Sequence, residues 1–152
     1  MKANKIIGVI GGGKASNEIF ALAEKVGQLI AQKNGVLICG GLYGVMEAVC
    51  RGARKFNGLT IGILPGFQKE DANPYVDIPI VTGMADARNI IIVRTADVVI
   101  AIDGEFGTLS EISFCLKFNV PVVGLNTWDI DKRIVKAISA EDAVNKAFEI
   151  VI

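Results

Sequence analysis

Histidine is absent from all 152 positions. That gap removes Ser-His-Asp and Cys-His nucleophiles, imidazole-bound metals and any histidine general base. Cysteine is scarce as well. Cys39, Cys50 and Cys115 are odd in number and far apart, which is neither a disulfide framework nor a zinc pattern. They read as free, buried thiols in a reducing compartment, where cysteine behaves as a small hydrophobe. No excess of either charge exists, since 16 basic residues face 16 acidic ones, so the basic footprint of a nucleic-acid surface is missing. Long apolar runs are missing too. Lys2, Lys5 and Ile6–Ile10 begin like an export signal, but the run dissolves into Gly11-Gly12-Gly13-Lys14. The charge-free stretch Asn34–Met46 is too short and too rich in glycine to cross a bilayer. The expectation is a cytoplasmic protein with no metal, no membrane and no nucleic-acid partner.

What the chain has in quantity is apolar residues, at 51%, and 17 glycines gathered in clusters. Its length suits one domain over residues 1–152, with roughly 68–70% of the unfolded surface hidden on folding. Short apolar runs at Lys5–Ile10, Val36–Cys39, Thr60–Leu64, Asp77–Val81, Asp97–Ile102, Pro121–Leu125 and Arg133–Ile138 predict strands. Between them lie helical patterns. Ser16 caps the first, Val45–Phe56 is the second, Thr108–Phe118 the fourth, and Ser139 caps the last through about Glu149. A parallel crossover needs a helix over Met84–Thr95, although Ile90, Ile91, Ile92 and Val93 are poor helix formers. Such alternation predicts an α/β fold: a Rossmann-like, doubly wound parallel sheet of six or seven strands with helices on both faces.

The glycine clusters follow strand ends: Gly11-Gly12-Gly13 after the first, Gly40-Gly41 with Gly44 after the second, Gly104 with Gly107 after the fifth. In such sheets ligands bind outside the carboxyl ends of the strands, where helix N-termini aim free N–H groups at anions. A shared anion pocket and a set of tight turns both fit one cluster; three on one rim favour the pocket. Familiar nucleotide motifs fail. Gly8 to Lys14 has P-loop spacing, but Ala15 stands where a hydroxyl should hold magnesium. The dinucleotide fingerprint has Ser16 in place of its last glycine, and no acidic residue ends the second strand. In Asp103-Gly104-Glu105-Phe106-Gly107-Thr108-Leu109-Ser110-Glu111, Thr108 is expected as an N-cap, with Thr108 and Glu111 spaced as a capping box.

These segments resemble the LONELY GUY (LOG) and molybdenum-cofactor-carrier-like superfamily, once often labelled lysine decarboxylases. The LOG pattern Pro-Gly-Gly-x-Gly-Thr-x-x-Glu is matched from Asp103 to Glu111, retaining Gly104, Gly107, Thr108 and Glu111. Gly40-Gly41-Leu42-Tyr43-Gly44-Val45-Met46 matches glycines leading into Gly-Leu-Met. Met84–Asn89 keeps the arginine as Arg88 but has Asn89 where lysine is expected. The likeness runs from about residue 5 to the C-terminus. Asp103 replaces a motif proline and Glu105 a glycine, and with Gly62-Ile63-Leu64-Pro65 and Asn73-Pro74-Tyr75 these departures lean towards the carrier-like branch.

The resemblance implies a homodimer or homotetramer with no required cofactor. Its small-molecule phosphate ligand would be an AMP-like nucleotide or molybdenum cofactor, a pterin with a terminal phosphate. Gly107 and Thr108 would grip the phosphate, Gly11, Gly12, Gly40, Gly41, Gly44 and Gly104 would allow close approach, and Arg88 would add a charge-assisted hydrogen bond. The LOG alternative is a phosphoribohydrolase that cleaves nucleoside 5′-monophosphates to base and ribose 5-phosphate. Glu111 would then stabilise charge on the sugar and Arg88 would orient the substrate. A catalytically silent oligomer is the third reading. Lysine decarboxylation is rejected, because no lysine sits in a recognisable pyridoxal site and no histidine can stack on the ring.

Overall fold

Seven short apolar runs become strands; the central ones are covered on both faces of the sheet, while the edge run Ile78–Val81 stays mostly exposed. In the computed structural model, which describes residues 4–151, they are β1 (Ile6–Gly11), β2 (Val36–Cys39), β3 (Thr60–Leu64), β4 (Ile78–Val81), β5 (Val98–Ile102), β6 (Val122–Leu125) and β7 (Val135–Ala137). Lys2, part of the export-like start, lies outside the described residues. The strands form one sheet in the order β4-β3-β2-β1-β5-β6-β7, parallel at every pairing. All five β5 residues are buried. The expected doubly wound α/β sheet is therefore what the chain forms.

Five helices cover it: α1 (Asn17–Gln32), α2 (Val45–Lys55), α3 (Asn89–Thr95), α4 (Phe106–Phe118) and α5 (Ala140–Ile150). Strand alternation divides the core between two faces. Ile7, Val9, Leu37 and Ile100 pack with α1, α2 and α5, whereas Ile10, Ile38 and Val99 pack with α3 and α4. Ser16 caps α1 by accepting from the Ile19 amide at 3.2 Å, and Ser139 caps α5 by accepting from Asp142 at 3.0 Å. Asp97 and Asp77 stand just before their strands and do parallel jobs. Asp97 accepts from the Ile6 amide at 2.8 Å and Asp77 from the Thr60 amide at 3.0 Å, tying each strand start to its neighbour.

The α1–α2 contact has no room for side chains. A Cβ placed on Gly27 would strike the Val49 carbonyl oxygen, and one on Gly52 would strike the Glu24 carbonyl oxygen. Each helix thus presses its backbone on the other through a glycine.

The helix expected over Met84–Thr95 is divided. Gly83 and Ala85 have φ of 63° and 50°, Ala85–Arg88 is a 3₁₀ turn, and α3 proper begins at Asn89. The run Ile90–Val93 does form helix, with Ile92 and Val93 buried, so tertiary packing overrides its weak propensity but sustains only seven residues. The cysteines are free and buried as expected, and the Cys39 and Cys50 sulfurs lie 3.5 Å apart.

Candidate functional site

The strand order reverses between β1 and β5. From β1 the chain runs outwards through β2, β3 and β4, then returns to β5 on the other side. A crevice must open at the carboxyl ends there, since the connections leave in opposite directions. It does, as a cavity of about 530 Å³. That volume falls within the roughly 300–1,000 Å³ of small-molecule sites.

Eight of the residues singled out from the sequence line this cavity: Gly11, Gly12, Gly40, Arg88, Gly104, Gly107, Thr108 and Glu111. Gly41 and Gly44 do not. Gly44 has φ of 68°, and its missing side chain leaves room for the Gly12 carbonyl, which accepts from the Val45 amide at 3.0 Å. Gly41 lies against Gly62 and Leu64, and its carbonyl accepts from the Asn73 amide at 2.9 Å. Both shape the wall from behind. The nearby large side chains Tyr43, Phe67, Tyr75 and Met84 are absent from it.

α4 starts three residues earlier than its capping pattern suggested. Its N-cap is Glu105, with no side-chain cap, and Thr108 lies inside the first turn. The expected Thr108–Glu111 box therefore does not form. The reason is steric: Gly104, at φ 97°, seats its Cα against the Thr108 side chain, which is 3% exposed and not free to turn back as a cap. The amides of Phe106, Gly107 and Thr108 precede any intrahelical acceptor and stay available at the helix start.

Arg88 is 8% exposed and held by backbone. Its Nε donates to the Ile63 carbonyl at 2.8 Å, its Nη2 to Gly40 at 3.4 Å, and its Nη1 to the Asn89 side chain. Asn89, where lysine was expected, thus orients the guanidinium and also reaches Ser110 at 3.5 Å. Burial pulls Arg88 below its ordinary value, against the opposing pull of Glu111. Glu111 is 7% exposed and faces the cavity without a hydrogen-bond partner among the described residues. Burial pushes its carboxyl up to about 8, a rise that the positive charge of Arg88 only partly offsets.

Lys14, the last residue of the P-loop-like spacing, reaches the rim. Asp103 and Glu105 line the cavity as well, so the departures from the LOG pattern lie in the site itself. Sequence reasoning missed Met46 and Asp86. Met46 has no signal beyond its place in the Gly-Leu-Met-like segment, and Asp86 none beyond standing two residues before Arg88. Two cations, Lys14 and Arg88, share the wall with the carboxyls of Asp86, Asp103, Glu105 and Glu111. By side-chain charge alone the wall therefore holds no excess of cations.

Fold and cavity together define a Rossmann-like α/β domain with its crevice at the topological switch point. Within that class the chain belongs to the SLOG cluster4 family, whose sequence model matches residues 4–150. A molybdenum cofactor binding protein from the phototrophic bacterium Rippkaea orientalis is 39% identical and superposes with a TM-score of 0.94, each chain covering 100% of the other. The molybdenum cofactor carrier protein of Chlamydomonas reinhardtii is 32% identical with a TM-score of 0.88, over 98% of this chain and 99% of that one. A cytokinin riboside 5′-monophosphate phosphoribohydrolase from Mycobacterium tuberculosis is 31% identical over 120 residues, which are 73% of this chain and 64% of that protein. The resemblance drawn from the glycine motifs is borne out on both its branches. Among the described residues no helix is long and apolar enough to cross a membrane.

Proposed function

We propose that this protein binds a phosphate-bearing, nucleotide-like molecule in the switch-point cavity and carries it without turnover, with molybdenum cofactor as the candidate cargo. The observation that carries this reading is the convergence of three glycine loops, the α4 N-terminus and Arg88 on one cavity of about 530 Å³. Phosphate would sit on the amides of Gly107 and Thr108, and the rest of the molecule would extend along Gly11, Gly12 and Gly40. The cavity fits such a guest in one further respect. A Cβ on Gly107 would meet nothing within 4 Å beyond its chain neighbours and its own helix backbone, so open space lies in front of it. The likeness to the Rippkaea and Chlamydomonas proteins over nearly the whole chain supports the same choice.

The second reading is a nucleoside 5′-monophosphate phosphoribohydrolase. It is favoured by the joint presence of Arg88 and Glu111 in the cavity and by the mycobacterial relative. N-glycosidic cleavage calls for a negative carboxylate beside the developing oxocarbenium charge. Glu111, held up to about 8, is largely protonated at neutral pH. In that form it donates one hydrogen bond to a phosphate or carbonyl oxygen and supplies no negative charge. This chemistry suits a binder better than a hydrolase.

Calorimetric titration with AMP and with a pterin phosphate, followed by chromatography of the same mixtures for free base, separates the two. Binding without release of base is the expected result. Base released by the wild type and abolished in Glu111→Gln would overturn the carrier reading, and binding of neither ligand would overturn both.

A further inference from the structure

The loop between β5 and α4 lines the cavity through Asp103, Gly104 and Glu105, yet it is held from its other side. The Asp103 amide donates to the Leu125 carbonyl at 3.2 Å. Thr127 Oγ1 donates to the Asp103 carbonyl at 2.6 Å, and Trp128 Nε1 donates to the Glu105 carbonyl at 3.1 Å. Neither Thr127 nor Trp128 belongs to the cavity wall. The Trp128 ring also packs beside Phe106, with centroids 6.1 Å apart. Asp103 and Gly104 have φ of 50° and 97°, a backbone conformation that would relax without such restraint.

No cis peptide occurs among the described residues, and in a trans peptide the C=O and N–H of one plane point in opposite directions. The Asp103 carbonyl shares its plane with the Gly104 amide, and the Glu105 carbonyl shares its plane with the Phe106 amide. Thr127 draws the Asp103 carbonyl towards the β6–β7 connection, so the amide of Gly104, a residue that lines the cavity, is turned the other way. The Glu105 carbonyl accepts both from Trp128 and, at 3.0 Å, from the Leu109 amide, so the Phe106 amide points out of the α4 start. Among the described residues neither amide meets an acceptor.

We infer that Thr127 and Trp128 are positioning residues for an anion site. They hold two carbonyls out of the cavity and so aim the Gly104 and Phe106 amides at a bound phosphate. This deepens the proposed function and rests on it. The ligand chemistry is an oxyanion of the phosphate class, received by a nest of backbone N–H groups, with Arg88 as the nearby fixed cation. The two residues touch no ligand themselves. Their contribution is preorganisation: without Thr127 the Asp103–Gly104 plane can rotate and present oxygen to an anion, and without Trp128 the Glu105–Phe106 plane is held only by the bond from the Leu109 amide to the Glu105 carbonyl.

The test uses the ¹⁵N-labelled full chain titrated with inorganic phosphate, following the amide resonances of Gly104, Phe106, Gly107 and Gly12. In the wild type the Gly104 and Phe106 resonances move with phosphate. Thr127→Val, which removes the hydroxyl and keeps the shape, weakens phosphate binding about two- to tenfold, the range that one neutral hydrogen bond spans. Thr127→Ser keeps the donor and binds within about twofold of the wild type. Trp128→Phe keeps a ring beside Phe106, loses the N–H donor and weakens binding in the same range, so the inference stays testable should Thr127→Val fold poorly. Wild-type affinity in both Thr127→Val and Trp128→Phe, or a lowered melting temperature with unchanged affinity, would overturn it. Phosphate that moves only Gly12 and Gly107 in the wild type overturns this inference and leaves the carrier reading standing. Phosphate that moves none of the four overturns both.

Discussion

Replacing Glu111 by glutamine keeps the side-chain shape and removes the one buried carboxyl in the cavity wall that titrates near neutrality. Its ordinary value is 4.5, and burial raises it to about 8. Between those two pH values the folded protein keeps a proton that the unfolded chain releases. Stability therefore falls as pH rises through the window, and the loss is complete above about 8. Each pH unit with one proton separating the states corresponds to about 1.4 kcal/mol, so the window as a whole amounts to about 4–5 kcal/mol, an upper bound. Asp131, held near 2 by its hydrogen bond from Arg133, and Asp142, pulled down by Lys146, titrate below this window, whereas the Cys39 thiol, lowered chiefly by its hydrogen bond with Cys50, is present in both proteins under comparison. Glu111→Gln has no proton to lose. Urea denaturation at intervals from pH 5 to pH 9 should give nearly equal stabilities at the acid end. The variant should then gain steadily on the wild type until pH 8 and hold its lead beyond. Parallel curves, or a variant weaker at every pH, would refute the placement of an unpaired, desolvated carboxyl in the cavity. The same proton predicts that wild-type affinity for a phosphate ligand rises as pH falls through about 8, and that the glutamine variant lacks this dependence.

Two further substitutions separate site from scaffold. Gly107→Ala places a methyl where nothing lies within 4 Å beyond its chain neighbours and its own helix backbone, on a Cα–Cβ bond tilted towards the helix start. Melting temperature should hold or rise, since alanine suits a helix by up to about 1 kcal/mol, while affinity for AMP falls about tenfold; unchanged affinity would place the anion elsewhere. Gly52→Ala drives a methyl into the Glu24 carbonyl and should cost about 1–3 kcal/mol in chemical denaturation, with ligand affinity per folded molecule preserved. An undisturbed melting curve would mean that α1 and α2 do not meet backbone to backbone.

The strands and the rim were legible because their signals are local. Buried parallel strands read as apolar runs, and the glycine clusters after β1, β2 and β5 mark where backbone must turn. Ser16 and Ser139 behave as caps because each stands directly before a helix with an amide three residues on to receive. Thr108 looked the same and is not a cap. What decides its position is the steric fit of Gly104 against it, a contact across a loop that no spacing rule encodes. The division at Gly83 and Ala85 was hidden for a similar reason, since two positive-φ residues on either side of Met84 depend on the packing around them. Arg88 and Glu111 were found through motif resemblance. Their joint burial, and the use of Asn89 to steer Arg88, follow from β2, β3 and α4 converging, which lies beyond the reach of sequence order. Gly41 and Gly44 carry the same motif as Gly40 but face away from the cavity, because consecutive residues in a turn cannot all present the same side.

The mutual glycine contact of α1 and α2 has a mechanical consequence. Two helices that touch through their main chains cannot slide past each other without collision, so they move as a block, and the segments after β1 and β2 travel with them. The opposite lip of the crevice is fastened to the β6–β7 connection. The mouth of the crevice thus lies between two stiff jaws, and the exposed side chains at their tips, Lys14 and Glu105 among them, are its most adjustable part.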